Sequence, residues 1–273
     1  MENKASETSG LKGIFAGIAI PAAIVVSFIV YKFVLGSSSN FEGGDPANHP
    51  LPGNVLGIVY KGGIIVPILI SLLLIVLTFT VERMLTIAQA TGKGRVDMFI
   101  RKIQQQLKSG NITEANNLCD IQKGSVANVV KAGLSRYKEM DAETGMDREQ
   151  KSLAIQKELE EATALELPML EKNLVILATL ASISTLVGLL GTVLGMIKAF
   201  SALAQSGAPD SVALANGISE ALINTALGIG TSAVAIIMYN YFTTKIDKLT
   251  YSIDEAGFSI IQTFAASHAR KGA

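Results

Sequence analysis

This sequence has little to offer redox or metal chemistry. A single cysteine, Cys119, excludes an internal disulfide. One cysteine and two histidines, His49 and His268, are too few for a Cys/His zinc site. Tryptophan is absent and aromatic residues make up only 6% of the chain. Charge is scarce as well: 17% of the 273 residues are Asp, Glu, Lys or Arg, against about a quarter in an ordinary soluble domain. The 23 basic side chains cancel the 23 acidic ones. That balance excludes a globally basic nucleic-acid binder and an acidic disordered chain. What is plentiful is apolar, at 49% of residues, so the distribution of the few charges decides the class.

Four stretches carry no charge: residues 13–31, 62–81, 173–197 and 221–244. A helix needs roughly 20 apolar residues to cross a hydrocarbon core of about 30 Å, and each stretch is near or above that length. Four such runs predict a polytopic membrane protein. The first run follows Lys4 and Lys12, as in a signal peptide. It is longer than the usual apolar region of about 7–15 residues, and Leu35-Gly36-Ser37 is a weak substitute for an Ala-x-Ala site. An uncleaved anchor is expected.

Lys and Arg set the orientation. Residues 82–171 carry Arg83, Lys93, Arg95, Arg101, Lys102 and Lys108 among others, and the tail carries Lys245, Lys248, Arg270 and Lys271. Residues 201–219 have none, and residues 36–61 have only Lys61, beside Glu42 and Asp45. Both ends and the middle segment are therefore expected in the cytoplasm. The expected fold is all-α, with four transmembrane helices, a large helical cytoplasmic domain and long helices extending into the cytoplasm. Its segments are a tail (1–12), a first transmembrane helix (13–35), an external loop (36–61) and a second span (62–81). They continue with the cytoplasmic domain (82–172), a third span (173–200), a second external loop (201–215), a fourth span (216–244) and a helical tail (245–273).

Within 82–172, Val96, Phe99, Ile100, Ile103 and Leu107 share one helix face. Asn111-Ile112-Thr113-Glu114 has the form of a helix start. Pro168 marks a kink or boundary before the third span. Residues 36–61, with Gly43, Gly44, Pro46, Pro50, Pro52 and Gly53, read as an irregular loop. Ile246, Leu249, Ile253, Ile260 and Phe264 extend an apolar stripe into the tail, which needs a partner helix in this chain or in a second copy.

Glu220 is the most informative residue. Uncharged sequence runs on both sides of it, and no Lys or Arg lies within twenty residues. An ionisable group inside a span is costly and is a functional candidate by default. The competing reading is hydration at the outer interface, because the 25 residues from Glu220 to Lys245 rise about 37 Å. In the third span Ala178, Ala181, Thr185, Gly188, Thr192, Gly195 and Ala199 recur at steps of three and four. In the fourth, Ala221, Thr225, Gly228, Ser232 and Ala235 do the same. Small-residue stripes allow close helix packing, as in Gly191-x-x-x-Gly195. The sharper reading has Thr185, Thr192, Thr225 and Ser232 line a lumen beside the packing residues Gly188, Gly191, Gly195 and Gly228. Counting from the cytoplasmic ends puts Thr192 and Thr225 at a similar depth, about 30 Å along each helix. Thr225 is turned about 140° from Glu220, so the two cannot squarely face one narrow axis.

The stretch Gly188-Leu189-Leu190-Gly191-Thr192-Val193-Leu194-Gly195-Met196-Ile197-Lys198-Ala199-Phe200 resembles the first signature of the MotA/TolQ/ExbB proton-channel family. Gly217-Ile218-Ser219-Glu220-Ala221-Leu222-Ile223-Asn224-Thr225-Ala226-Leu227-Gly228 resembles the second, and Tyr239-Asn240-Tyr241-Phe242 its end. Glu82-Arg83 after the second run also fits. The likeness covers roughly residues 62–256 and is greatest to the ExbB branch. It implies a homopentamer in the bacterial inner membrane around the transmembrane helices of an ExbD-like dimer, passing work from the proton-motive force to a TonB-like protein. It also implies that Thr192 and Thr225 face an Asp of the partner, that Glu220 is the pore glutamate and that Asn240 belongs to the Tyr-Asn element. No cofactor is implied. The chain departs from the family in its additional span at 13–35, in lacking a proline within Ala235-Ile236-Ile237-Met238, and in Lys198, which can pair with Glu220 or Asp210.

The expected function is a stator subunit of a proton-driven motor, ExbB-like, with a TolQ-like or gliding-motor subunit of the same family and a non-conducting membrane scaffold as alternatives. A secondary transporter is disfavoured by the lack of internal repeats and broken helices. No enzyme is expected: Cys119 has no histidine nearby, and Gly92-Lys93-Gly94 lacks the Walker spacing. His49 and His268 read as solvated surface. The run Lys93, Arg95, Arg101 and Lys102 reads as a contact for anionic lipid or as plain topology charge.

Overall fold

Long apolar runs and amphipathic stretches form the helices. The computed structural model describes the backbone of residues 3–204 and 211–271 and the side chains of 15–204 and 211–267. Asp210 and the side chains of Lys4, Lys12, His268, Arg270 and Lys271 lie outside the described residues. Among the described residues the α-helices are α1 (Asn3–Ile29), α2 (Val55–Tyr60), α3 (Ile65–Thr91), α4 (Val96–Lys108), α5 (Ile112–Gln122), α6 (Gly124–Ala142), α7 (Arg148–Glu171), α8 (Leu174–Ala204) and α9 (Ser211–Lys271). The only β-type pairing among them is an isolated bridge between Phe41 and Pro50. Four helical stretches are long and apolar enough to cross a membrane: Phe15–Leu35, Ile65–Lys108, Arg148–Ala204 and Ser211–Ser267. The chain is an all-α polytopic membrane protein.

It divides into two compact units. The first contains Met1–Val81 and Ile176–Tyr239. Val66, Leu69, Val76 and Phe79 of α3 are buried in it, and Phe15 of α1 meets Phe79 edge-on at 6.1 Å. Residues 36–61 are more ordered than their Gly and Pro content suggests. A π-turn (Val30–Leu35) follows α1, and Asn40 donates to the carbonyls of Val34 at 2.8 Å and Leu35 at 2.9 Å. The Asn40 side-chain oxygen accepts from Asn54 at 3.0 Å, and Asn54 caps α2 by accepting from the Gly57 amide at 3.0 Å. Lys61 donates to the carbonyls of Pro46 at 2.9 Å and Ala47 at 3.0 Å. A stretch without regular structure must satisfy its backbone groups some other way, and here two asparagines and a lysine do so. Tyr31 stacks on Tyr60 with ring centroids 4.7 Å apart.

The second unit contains Glu82–Val175 and Asn240–Ala273. Phe99, Ile100, Ile103 and Leu107 bury one face of α4, and Val129, Val130 and Leu134 one face of α6. The stripe on α9 finds its partner within this chain: Ile246, Leu249, Ile253, Ile260 and Phe264 are all buried, and Phe264 packs edge-on to Tyr137 of α6 at 4.9 Å. Asn111 stands at the start of α5, but its side chain caps nothing and donates to Gln106 instead, at 3.3 Å. The full capping box belongs to α7, between Asp147 and Gln150. Gly92 (φ 77°) and Gly124 (φ 83°) lie where two turns touch; a Cβ on Gly92 would strike the carbonyls of Gln122 and Lys123. Pro168 does not end its helix. α7 runs on to Glu171 and breaks at Asn173 (φ 65°), with the Lys172 amide donating to the Pro168 carbonyl at 3.0 Å. Asparagine tolerates that left-handed conformation better than other side chains do. Arg83, only 2% exposed, donates to the Leu170 carbonyl at 3.2 Å and pairs with Glu82. It thereby neutralises carbonyls at the negative end of α7.

Candidate functional site

Glycine sets the approach of α8 and α9. A Cβ on Gly188 would lie 2.9 Å from the Asn224 carbonyl oxygen and 3.0 Å from Gly228 Cα. On Gly195 it would lie 2.8 Å from the Gly217 carbonyl oxygen, and on Gly228 2.7 Å from that of Ser184. Gly191 faces the Asn224 side chain. Backbones touch directly along this seam, which is how helices gain contact energy where lipid supplies no hydrophobic drive.

The seam brings Thr192 and Thr225 together. Their hydroxyls are hydrogen-bonded to each other. One hydroxyl donates to the other, whose own proton goes to a carbonyl one turn back: that of Gly188 lies 3.2 Å from Thr192 Oγ1 and that of Ala221 3.1 Å from Thr225 Oγ1. Both threonines are half-buried. Beside Thr192 an open apolar groove runs along α8, lined by Val193, Met196, Ile197 and Phe200.

Glu220 does not join this pair. Lys198 of α8 donates to its two carboxylate oxygens, at 2.6 and 2.9 Å. The glutamate side chain is 12% exposed and the lysine side chain 58%, so the lysine reaches inward from the surface. The turn before α3 closes over the carboxylate. Gly63 has φ 74°, and a Cβ there would run into Glu220 Oε1; glycine meets both demands. The Tyr31 hydroxyl donates to the Tyr60 carbonyl at 3.3 Å. One helical turn along α9, Asn224 Nδ2 donates to the Gly62 carbonyl at 2.9 Å.

The remaining candidates are dispersed. Ser232 is buried and donates to the Ala181 carbonyl at 2.6 Å, and Thr185 is half-buried on α8. Asn240 is exposed, and its carbonyl accepts from Thr244 Oγ1 at 2.9 Å. His49, Lys93, Arg95, Arg101 and Lys102 are exposed. Cys119 is buried in α5, where desolvation and then the neighbouring Asp120 push its thiol pKa up to about 12.

The segment that holds both threonines, Glu220 and Lys198 lies inside a match to the MotA/TolQ/ExbB proton channel family over residues 122–255. Residues 122–255, with both signature stretches, are thus similar to the MotA/TolQ/ExbB family. Curated relatives carry the names TolQ and ExbB. The Tol-Pal system protein TolQ of Pseudomonas aeruginosa is 33% identical over 124 residues, 45% of this chain and 54% of that protein. The biopolymer transport protein ExbB of Salmonella typhimurium is 34% identical over 85 residues, 31% of this chain and 35% of that protein. ExbB of Helicobacter pylori is 42% identical over 81 residues, 30% of this chain and 56% of that protein. The chain thus spans about half the length of these relatives, or less. Asn224, Gly62 and Gly63, which the structure brings to Glu220, do not stand out as site residues in the sequence. Asn224 sits in the second signature, in the position following Glu220 by one turn, and that spacing was the available signal.

Proposed function

We propose that this chain is a stator subunit of a proton-driven motor in the bacterial inner membrane, with both ends and residues 82–172 in the cytoplasm. Five copies surround an ExbD-like dimer and pass work to a TonB-like protein, in the manner of ExbB; TolQ-like and gliding-motor assemblies are the neighbouring versions. Thr192, Thr225, Thr185, Ser232 and Glu220 border the proton route, Gly188, Gly191, Gly195 and Gly228 hold its wall, and Asn240 closes the family's Tyr-Asn element. The additional N-terminal span anchors the folded cap of residues 36–61.

One observation carries this reading. Two hydroxyls from different spans meet at the same level beside an open apolar groove, within the family-matching segment. Such a pair can pass a proton or hold water against a helix seated in the groove. The energy scale is adequate, because one charge crossing 100 mV releases about 2.3 kcal/mol. In proteoliposomes holding the complete complex, Thr225→Val and Glu220→Gln are expected to lower proton flux by tenfold or more, while native mass spectrometry shows five subunits with two partners. Undiminished flux in both variants, or a stable lone subunit, refutes the reading.

A scaffold is the second reading, and the Lys198–Glu220 pair favours it. A carboxylate held by an ammonium clamps α8 to α9 without any transport. Assembly lost in Glu220→Gln, with flux per assembled complex unchanged, marks that outcome.

A further inference from the structure

Three side-chain oxygens in the first unit are buried without a hydrogen-bond partner: Thr80 Oγ1 on α3, Ser184 Oγ on α8 and Asn224 Oδ1 on α9. Of these residues, Ser184 and Asn224 are 0% exposed. The amide orientation of Asn224 is fixed, because its Nδ2 is already committed to the Gly62 carbonyl at 2.9 Å, so the orphan is an acceptor. Native proteins rarely leave such atoms unpaired, and buried water is their usual partner.

Their placement follows the glutamate rather than the threonines. At 100° per residue Asn224 is turned about 40° from Glu220 and Thr231 about 20°, whereas Thr225 is turned about 140°. Glu220, Asn224 and Thr231 share a buried face, at 9%, 0% and 3% exposure. Gly191 leaves the notch that admits the Asn224 side chain. Ser184 lies seven residues from Gly191 on α8, about 10 Å of rise, and its backbone abuts Gly228.

We propose that Asn224 Oδ1 and Ser184 Oγ each bind a buried water molecule inside the subunit, so that Glu220 has a hydrated seam of its own, separate from the Thr192–Thr225 contact. Water suits these atoms better than a cation does. A bare cation wants about six oxygen ligands, and these two neutral oxygens are separated along the seam. The Lys198 ammonium already occupies the Glu220 carboxylate, and no group of three or more His, Cys, Asp or Glu side chains suited to a metal gathers among the described residues.

The role of the seam in conduction rests on the proton-route reading above, and the water site itself does not. A water-resolving structure of the full-length assembled complex is expected to show density within about 3 Å of Asn224 Oδ1 and of Ser184 Oγ. Dry packing, protein partners at both atoms, or density that appears only with added sodium overturns the site. In the same complex Asn224→Leu is expected to lower proton flux about tenfold, and Asn224→Ser, which leaves room for water, to restore it to within about twofold. Unchanged flux in Asn224→Leu overturns the seam's role in conduction. Waters present with flux intact in Glu220→Gln sink the proton route and leave the site standing; waters absent with flux lost in Glu220→Gln sink the site alone.

Discussion

Helix α9 is packed by two different means along its length. Between Gly217 and Ser232 it meets α8 backbone to backbone, through glycines whose missing Cβ atoms would lie inside 3 Å of main-chain atoms, and polar side chains bond across the gap. Between Ile246 and Phe264 it buries large apolar side chains, with Phe264 against the Tyr137 ring. The first means works where lipid is the solvent, since hydrocarbon does not expel apolar surface and contact must come from close approach and hydrogen bonds. The second needs water to drive it. The contrast teaches that residue size, read along one helix, reports which solvent each part was built for.

Three measurements break or sharpen this contrast. Phe264→Ala empties a filled aromatic site and is expected to cost about 3–5 kcal/mol, read as a lower midpoint in thermal unfolding of the purified protein. A loss under about 1 kcal/mol would show that burial does not hold this part together. Gly228→Ala adds a single methyl group between two backbones and is expected to cost about 1–3 kcal/mol. Gly230→Ala, two residues on with nothing within 4 Å of its Cβ position, is expected to be neutral or to gain up to about 1 kcal/mol in helix propensity. Equal effects of the two would remove the case for close approach. The smallest effect is chemical. Because burial and then Asp120 raise the Cys119 pKa to about 12, above its ordinary value near 8.5, the folded protein keeps the thiol protonated from neutral pH to about pH 9. Maleimide labelling is expected to be negligible there and to become rapid on unfolding. The sign follows: stability from this group is complete below the unfolded thiol pKa and declines as pH rises past it. Fast labelling of the native protein would show the α5 core to be open.

Regular periods made part of this fold legible in advance. The charge gaps gave the four spans, and steps of three and four gave the α4 face and the α9 stripe, because those signals are local. The equal depth of Thr192 and Thr225 came from counting residues between charged ends. Contacts made by chance neighbours in space were not legible. Nothing in the sequence around Gly62-Gly63 says that this turn rests on Glu220 and Asn224, about 160 residues away. The Asn40 knot hides in a stretch of Gly and Pro for the same reason, since one amide serving two carbonyls has no repeat to find. Topology alone offered Lys198 either Glu220 or Asp210, and the contact with the Glu220 carboxylate is read only from the folded chain. Pro168 lies inside α7, three residues before its end at Glu171, and the left-handed turn that follows falls on Asn173.

The Tyr31–Tyr60 stack has a practical corollary. With no tryptophan in the chain, tyrosine sets the near-ultraviolet spectrum, and two rings 4.7 Å apart are close enough to couple their transitions. The cap above Glu220 therefore carries its own optical reporter, so that loosening at the C-terminal end of the first span can be followed by circular dichroism without attaching any dye.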